Sequence, residues 1–328
     1  MRNLRKRNTQ NNNKKNIKDD IQKTRNGYKK TKSNNLDNIN KEKEKEKEKN
    51  KSKNQTQKKS KKIFTILILI FSSICLISAI LLGVLWVLNN NKSEQLAEDI
   101  ENNTPITTVE DSDDVELINP PENDSSNDYW DFIKIPLINV DFSELLKRNP
   151  DTVGWINVNN TNINYPVLQT TDNDKYLHIA FDGSKNQAGW IFADYRNDMK
   201  NFDRNTIIYG HSRLNQTMFG SLFNVLNQSW YNNKYNHIIR FSTPTENTMW
   251  QVFSVYKIGL ESYYLQVDFQ NDEKYLEFLN TLKSRSIYNF NVSLSSTDKI
   301  ITLSTCSDAA GTGRIVLHAK LIKREVRN

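Results

Sequence analysis

Cysteine 306 ends an apolar run, KIITLSTC (299–306), and a polar stretch, SDAAGTG, follows it. The only other cysteine, Cys75, lies in a long apolar segment near the N-terminus. An internal disulfide is therefore not the expected use of Cys306. An inert buried thiol is the usual fate of a free cysteine. A strand end facing a polar loop is a poor place for one. A surface thiol outside the cell is also an oxidation liability unless it has work to do. The expected chemistry is nucleophilic attack by the thiolate, which requires a base within reach.

Four histidines are available: His178, His211, His237 and His318. His211 ends another apolar run, NTIIYGH, and Gly210 before it permits close approach. Arg314 opens the run RIVLHAKLIK, where an always-charged guanidinium can hold a developing oxyanion. Period-2 alternation places Tyr209 with His211, Ser304 with Cys306, and Arg314 with His318 on shared strand faces. Four residues of strand put Arg314 and His318 ~13 Å apart, so His211 is the better base for a thiol that Arg314 reaches. Tyr209 and Ser304 are candidates for positioning the thiol or the substrate.

These residues need a scaffold of short strands. Two strands are predicted in 154–167 around an Asn159-Asn160 turn. Others are predicted at 190–194, 205–211, 237–243, 249–258, 299–306 and 314–323. Helical spacing appears at 141–151, 217–226 and 272–285. Eight strands with a few inserted helices favour a mainly β fold, a closed antiparallel barrel, over a parallel sheet.

Charge divides the 328 residues sharply. Residues 1–62 hold 23 Lys/Arg against 7 Asp/Glu, with KEKEKEKEK at 41–49. Such sequence reads as a disordered basic tail, able to form a short helix through Lys/Glu pairs and drawn to an anionic membrane surface. Without interleaved aromatics at a membrane anchor, nucleic acid is not an expected partner. Residues 63–88 carry no charge and make ~39 Å of helix, enough to cross ~30 Å of hydrocarbon. Lys58, Lys59, Lys61 and Lys62 precede this span and Lys92 alone follows closely, which predicts a cytoplasmic N-terminus and an external bulk. Residues 89–128 hold 12 acids and one base, an expected extended linker. Residues 129–328 form the expected folded domain, large enough for its own core. Acids dot 172–203 without metal-site spacing, so neither metal nor cofactor is expected.

The chain from about 141 to 323 resembles a class B sortase. The residues that carry the resemblance are NPDTVGWINV, INYPVLQTTDNDKYL, GWIFADYRN, NTIIYGH, TLSTC and GRIVLHAKL, in that order. It implies an eight-stranded barrel and a membrane-anchored cysteine transpeptidase. It also implies His211, Cys306 and Arg314 as the catalytic set. By the same resemblance, substrate contacts fall partly in the insert before the cysteine strand, where Tyr288 is a candidate, and Asp308 occupies a position where some members carry an acid. The implied partners are secreted proteins with a C-terminal sorting signal, and an amine of a peptidoglycan precursor or a pilin. A cell-wall cysteine hydrolase and a non-catalytic stalked binding domain are the rival readings. The order His before Cys argues against a papain-like hydrolase.

Overall fold

The computed structural model describes residues 5–109, 114–121, 127–305 and 313–327. Eight strands form its barrel: β1 (Thr152–Val158), β2 (Asn164–Leu168), β3 (Phe192–Ala193), β4 (Asn205–Gly210), β5 (Ile238–Ser242), β6 (Glu246–Ile258), β7 (Ile300–Thr305) and β8 (Arg314–Val326). Their order is β7-β4-β3-β2-β1-β5-β6-β8, and pairing of β7 with β8 closes the ring. A short strand, Val115–Leu117, adds to the free end of β8. A separate two-stranded sheet pairs Ile106–Val109 with Leu137–Val140.

Closure and strand number agree with the sequence, but the expected antiparallel pattern does not hold throughout. β4 runs parallel to β7, and β2 parallel to β3. A parallel pair needs a long crossover, and residues 211–299 supply it for β4 and β7. Strand β7 is buried on both faces, one apolar and one polar. One face of β7 carries Ile301 and Leu303, while the other carries Thr302 and Ser304, and all four are fully buried. The second face is covered by the insert between β6 and β7. There the helix Asp272–Ser284 packs over β6, accepting a bond from Ser254 Oγ at its Leu282 carbonyl (2.7 Å). Trp155, Trp190, Trp250, Phe241 and Phe253 fill the core. Full burial of each such side chain contributes roughly 1.5–3 kcal/mol.

Three predicted elements are adjusted. The β1–β2 connection turns at Asn160, whose φ of 54° is a left-handed conformation that Asn tolerates. Of 190–194 only Phe192–Ala193 is strand; the Asp194 amide still donates to the Ile207 carbonyl at 2.9 Å while its side chain takes Arg196. The 217–226 segment is a 3-10 helix, Gly220–Leu226. It follows a turn in which Gln216 and Met218 have positive φ.

The N-terminal region is helical from Arg5 to Asn103. Residues 40–88 are exposed along their whole length, including the apolar run from Ile63 to Leu88. Among the described residues one helix is long and apolar enough to cross a membrane, and this is it. The helix continues into the 89–128 segment, where extended chain was expected. Ser93 and Ile100 are buried, and Arg148 pairs with Asp99 at 2.9 Å. Pro105, two residues past the helix end, cannot continue the backbone ladder.

Candidate active site

Strand register decides which side chains meet. In the parallel pair, Ser304 lies opposite Tyr209 and Thr305 opposite Gly210. In the antiparallel pair, Ser304 lies opposite Val316. The Ile315 amide donates to Thr305 Oγ1 at 2.9 Å. Thr305 therefore sits between Gly210 and Ile315, and each of the three strands has its next position at the same end of the barrel. On β4 that position is His211, and on β8 it is Arg314, which is half-buried and opposite Ile258 of β6. Cys306 and Asp308 lie outside the described residues. An antiparallel β4 would have sent His211 to the far end.

His211 is half-buried, and its Nε2 lies 2.9 Å from the Leu177 carbonyl oxygen. A carbonyl only accepts, so Nε2 carries the proton and Nδ1 carries the lone pair of the neutral ring. Burial lowers the His211 pKa below its ordinary value, against the raising effect of the Leu177 bond; Arg213 and His178 lower it further. The resting ring at neutral pH is thus a neutral base. Gly210 is required here: a Cβ on it would lie 2.7 Å from the ring of Phe219. Phe219 in turn donates its amide to the His211 carbonyl at 3.0 Å, holding the turn after the histidine.

Tyr209 and Ser304 face the same way, one step below. The Tyr209 hydroxyl donates to Asp194 Oδ2 at 2.9 Å. Asp194 is fully buried and takes a bidentate pair from Arg196 (2.8 and 2.7 Å). Burial opposes its ionisation, but the bonds from Arg196 and Tyr209 hold its carboxyl below the usual range. Burial, joined by the Asp194 charge, raises the Tyr209 pKa, so the phenol stays protonated. Ser304 Oγ lies 2.9 Å from the Tyr264 hydroxyl. Sequence reading did not single out the partners that support these strand ends: Asp194 with Arg196 for Tyr209, Tyr264 for Ser304, and the Leu177 carbonyl for His211. ADYR after an apolar pair was the one available signal for Asp194 and Arg196, and backbone groups leave none.

Tyr288 is not on these strand ends. Its ring stacks on Tyr231 (4.3 Å, 9°) and its hydroxyl donates to the Leu226 carbonyl at 2.7 Å. Other acids of 172–203 serve local turns; Asp172 Oδ1 accepts the Asp174 and Lys175 amides at 2.8 Å each. Among the described residues no group of three His, Cys, Asp or Glu gathers to hold a metal.

The sortase domain family matches residues 156–322. Sortase B of Staphylococcus aureus is 44% identical over 184 residues, 56% of this chain and 75% of that protein. Sortase B of Listeria monocytogenes is 37% identical over 183 residues, 55% of this chain and 74% of that protein. Among solved structures, a Staphylococcus aureus sortase B–substrate complex superposes with a TM-score of 0.52 at 43% identity, covering 56% of this chain and 84% of that one. The sortase B of B. anthracis in complex with AAEK1 gives 0.58 at 32% identity, covering 72% and 99%. The chain belongs to the sortase family as a class B member, and is thus a cysteine transpeptidase that acts on surface proteins.

Proposed function

We propose that Cys306 is the nucleophile, His211 its base and later its acid, and Arg314 the group that holds the oxyanion. The observation that carries this reading is the parallel pairing of β4 with β7. Position 306 is one trans peptide, about 3.8 Å, beyond Thr305, and Thr305 is flanked by Gly210 and Ile315. Neighbouring strands lie ~4.8 Å apart, so the positions of His211 and Arg314 lie on either side of the end of β7.

The substrate is the C-terminal sorting signal of a secreted protein. The Cys306 thiol, ordinarily titrating near ~8.5, gives its proton to Nδ1 of neutral His211 as sulfur attacks the scissile carbonyl. The Leu177 carbonyl accepts the Nε2 proton throughout and steadies the imidazolium. Arg314 stabilises the tetrahedral oxyanion. Collapse breaks the peptide C–N bond, and His211 returns the proton to the leaving amine. An amine from a cell-wall precursor or a pilin then attacks the thioester, restoring the thiol and forming a new amide.

The helical residues 63–88 serve as a single membrane span, with the basic tail of 1–62 in the cytoplasm and the catalytic domain outside. Lysines crowded before the span, with Lys92 the one base in residues 89–128 after it, support that orientation. An enzyme so placed meets its substrates as they leave the membrane. The test is a purified chain incubated with sorting peptides and amines and read by mass. A thioester on Cys306 that passes to amine supports the reading. Release to water alone returns the chain to the hydrolase alternative, and no adduct on Cys306 ends it.

A further inference from the structure

On the polar face of β4, β7 and β8, the side chains below the strand ends form a hydrogen-bond circuit. Asn205 Nδ2 donates to the carbonyls of Tyr264 (3.0 Å) and Gln266 (2.8 Å). Its Oδ1 accepts the Thr302 hydroxyl at 2.6 Å. That uses the one proton of Thr302, so His318 Nδ1, 2.8 Å from Thr302 Oγ1, must donate. Nε2 of the neutral ring then accepts from the Tyr256 hydroxyl at 2.9 Å. Tyr256 in turn accepts from the Tyr263 hydroxyl at 2.9 Å. The bonds run one way, Tyr263 to Tyr256 to His318 to Thr302 to Asn205. They close on themselves, because Asn205 holds the backbone of Tyr264.

His318, Thr302 and Asn205 are fully buried, so each broken bond would leave an unsatisfied polar group. The circuit grips one short segment, residues 261–266, where the insert leaves β6. That segment has only a three-residue 3-10 turn of its own, Tyr263–Leu265. Further ties hold it from both sides. Tyr264 bonds Ser304, and Arg196 donates to the Leu265 carbonyl at 3.1 Å. Arg285 lies 4.7 Å over the Tyr263 ring and pairs with Glu261 at 3.2 Å. Ser304 is two residues before Cys306 in the sequence.

We propose that this circuit, centred on His318, is a positioning device that fixes residues 261–266 beside the end of β7 and so sets the affinity for the peptide acyl donor. The inference rests on the reading of Cys306 as nucleophile. His318 is a positioning residue: it lies opposite Thr302, four residues before position 306 in the sequence.

The test compares His318→Leu, His318→Gln and Tyr263→Phe in the full chain. Three readouts are needed: hydrogen exchange over 259–270, KM and kcat for a sorting peptide, and the rate of Cys306 alkylation by iodoacetamide. His318→Leu should lose exchange protection in the segment and raise KM by about tenfold, the worth of one or two buried hydrogen bonds. Tyr263→Phe should give a smaller rise in KM. His318→Gln, whose amide both donates and accepts, should recover most of the loss. Alkylation and kcat should change little in all three. Unchanged protection overturns the proposal, as does a fall in kcat and alkylation at constant KM. Should His318→Leu fail to fold, Tyr263→Phe decides, since its hydroxyl sits at the edge of the circuit. A wild-type chain that transfers no peptide overturns the proposed function, and exchange in the variants then decides the circuit by itself.

Discussion

His211 and His318 sit at two depths of one sheet face, and they are held differently. At the rim, His211 commits Nε2 to a backbone carbonyl and stays half-buried. On the floor, His318 has both ring nitrogens bonded and is fully enclosed, its ring stacked on Phe253 at 5.9 Å. Burial lowers the pKa of both, that of His318 to about 3. The difference teaches that a neutral histidine serves two ends. With one lone pair left it is a base; with both positions taken it is a joint.

The sharpest way to break this contrast is at the rim. Cys306→Ala should abolish transfer in a mass-read peptide assay while circular dichroism stays native. His211→Ala should follow, with kcat/KM down by about 10²–10⁴-fold, the range of lost acid–base catalysis. A near-normal rate in that variant would strip the rim of its special status. Arg314→Ala should cost about 10²–10³-fold in kcat, as for a lost oxyanion donor.

The floor should answer to pH instead. His318 has a folded pKa of about 3 against an ordinary 6.5. Above pH 6.5 neither folded nor unfolded chain holds its proton, and stability is at its full value. As pH falls from 6.5 towards 3, the unfolded chain binds a proton that the folded chain refuses, so stability is lost. The slope from this one group is at most ~1.4 kcal/mol per pH unit. His211 and His237, also lowered by burial, add to it in the same direction. Melting curves between pH 8 and 4.5 should show the decline, and His318→Gln should flatten it. The smallest effect is expected at Tyr209→Phe, under tenfold in kcat/KM, because Arg196 still holds Asp194 when the hydroxyl is gone.

Much of the rim was readable in the sequence. NTIIYGH, KIITLSTC and RIVLHAKLIK announce strands by their apolar runs, and a candidate residue stands at one end of each. What local pattern cannot carry is which strand lies beside which, and in which direction. The expected antiparallel barrel missed the β4–β7 pair because its partners are set by a crossover of some ninety residues, not by a turn. The circuit was hidden for a related reason. Asn205, Tyr256, Thr302 and His318 come from four strands and share no spacing. The acid-rich stretch after the apolar span suggested extended chain, yet Ile100 within it is buried and holds that turn as helix.

The place of β7 between β4 and β8 has a consequence for how the polypeptide matures. Both neighbours of that strand must be in position before it can dock, and one of them follows it in synthesis. Long-range pairings of this kind are slow, since chain closure comes before the contacts that reward it. Until the ring of strands shuts, Gly210, Thr305 and Ile315 are not held next to one another. Completion of the barrel is thus the event that brings the ends of β4, β7 and β8 side by side and assembles the candidate site.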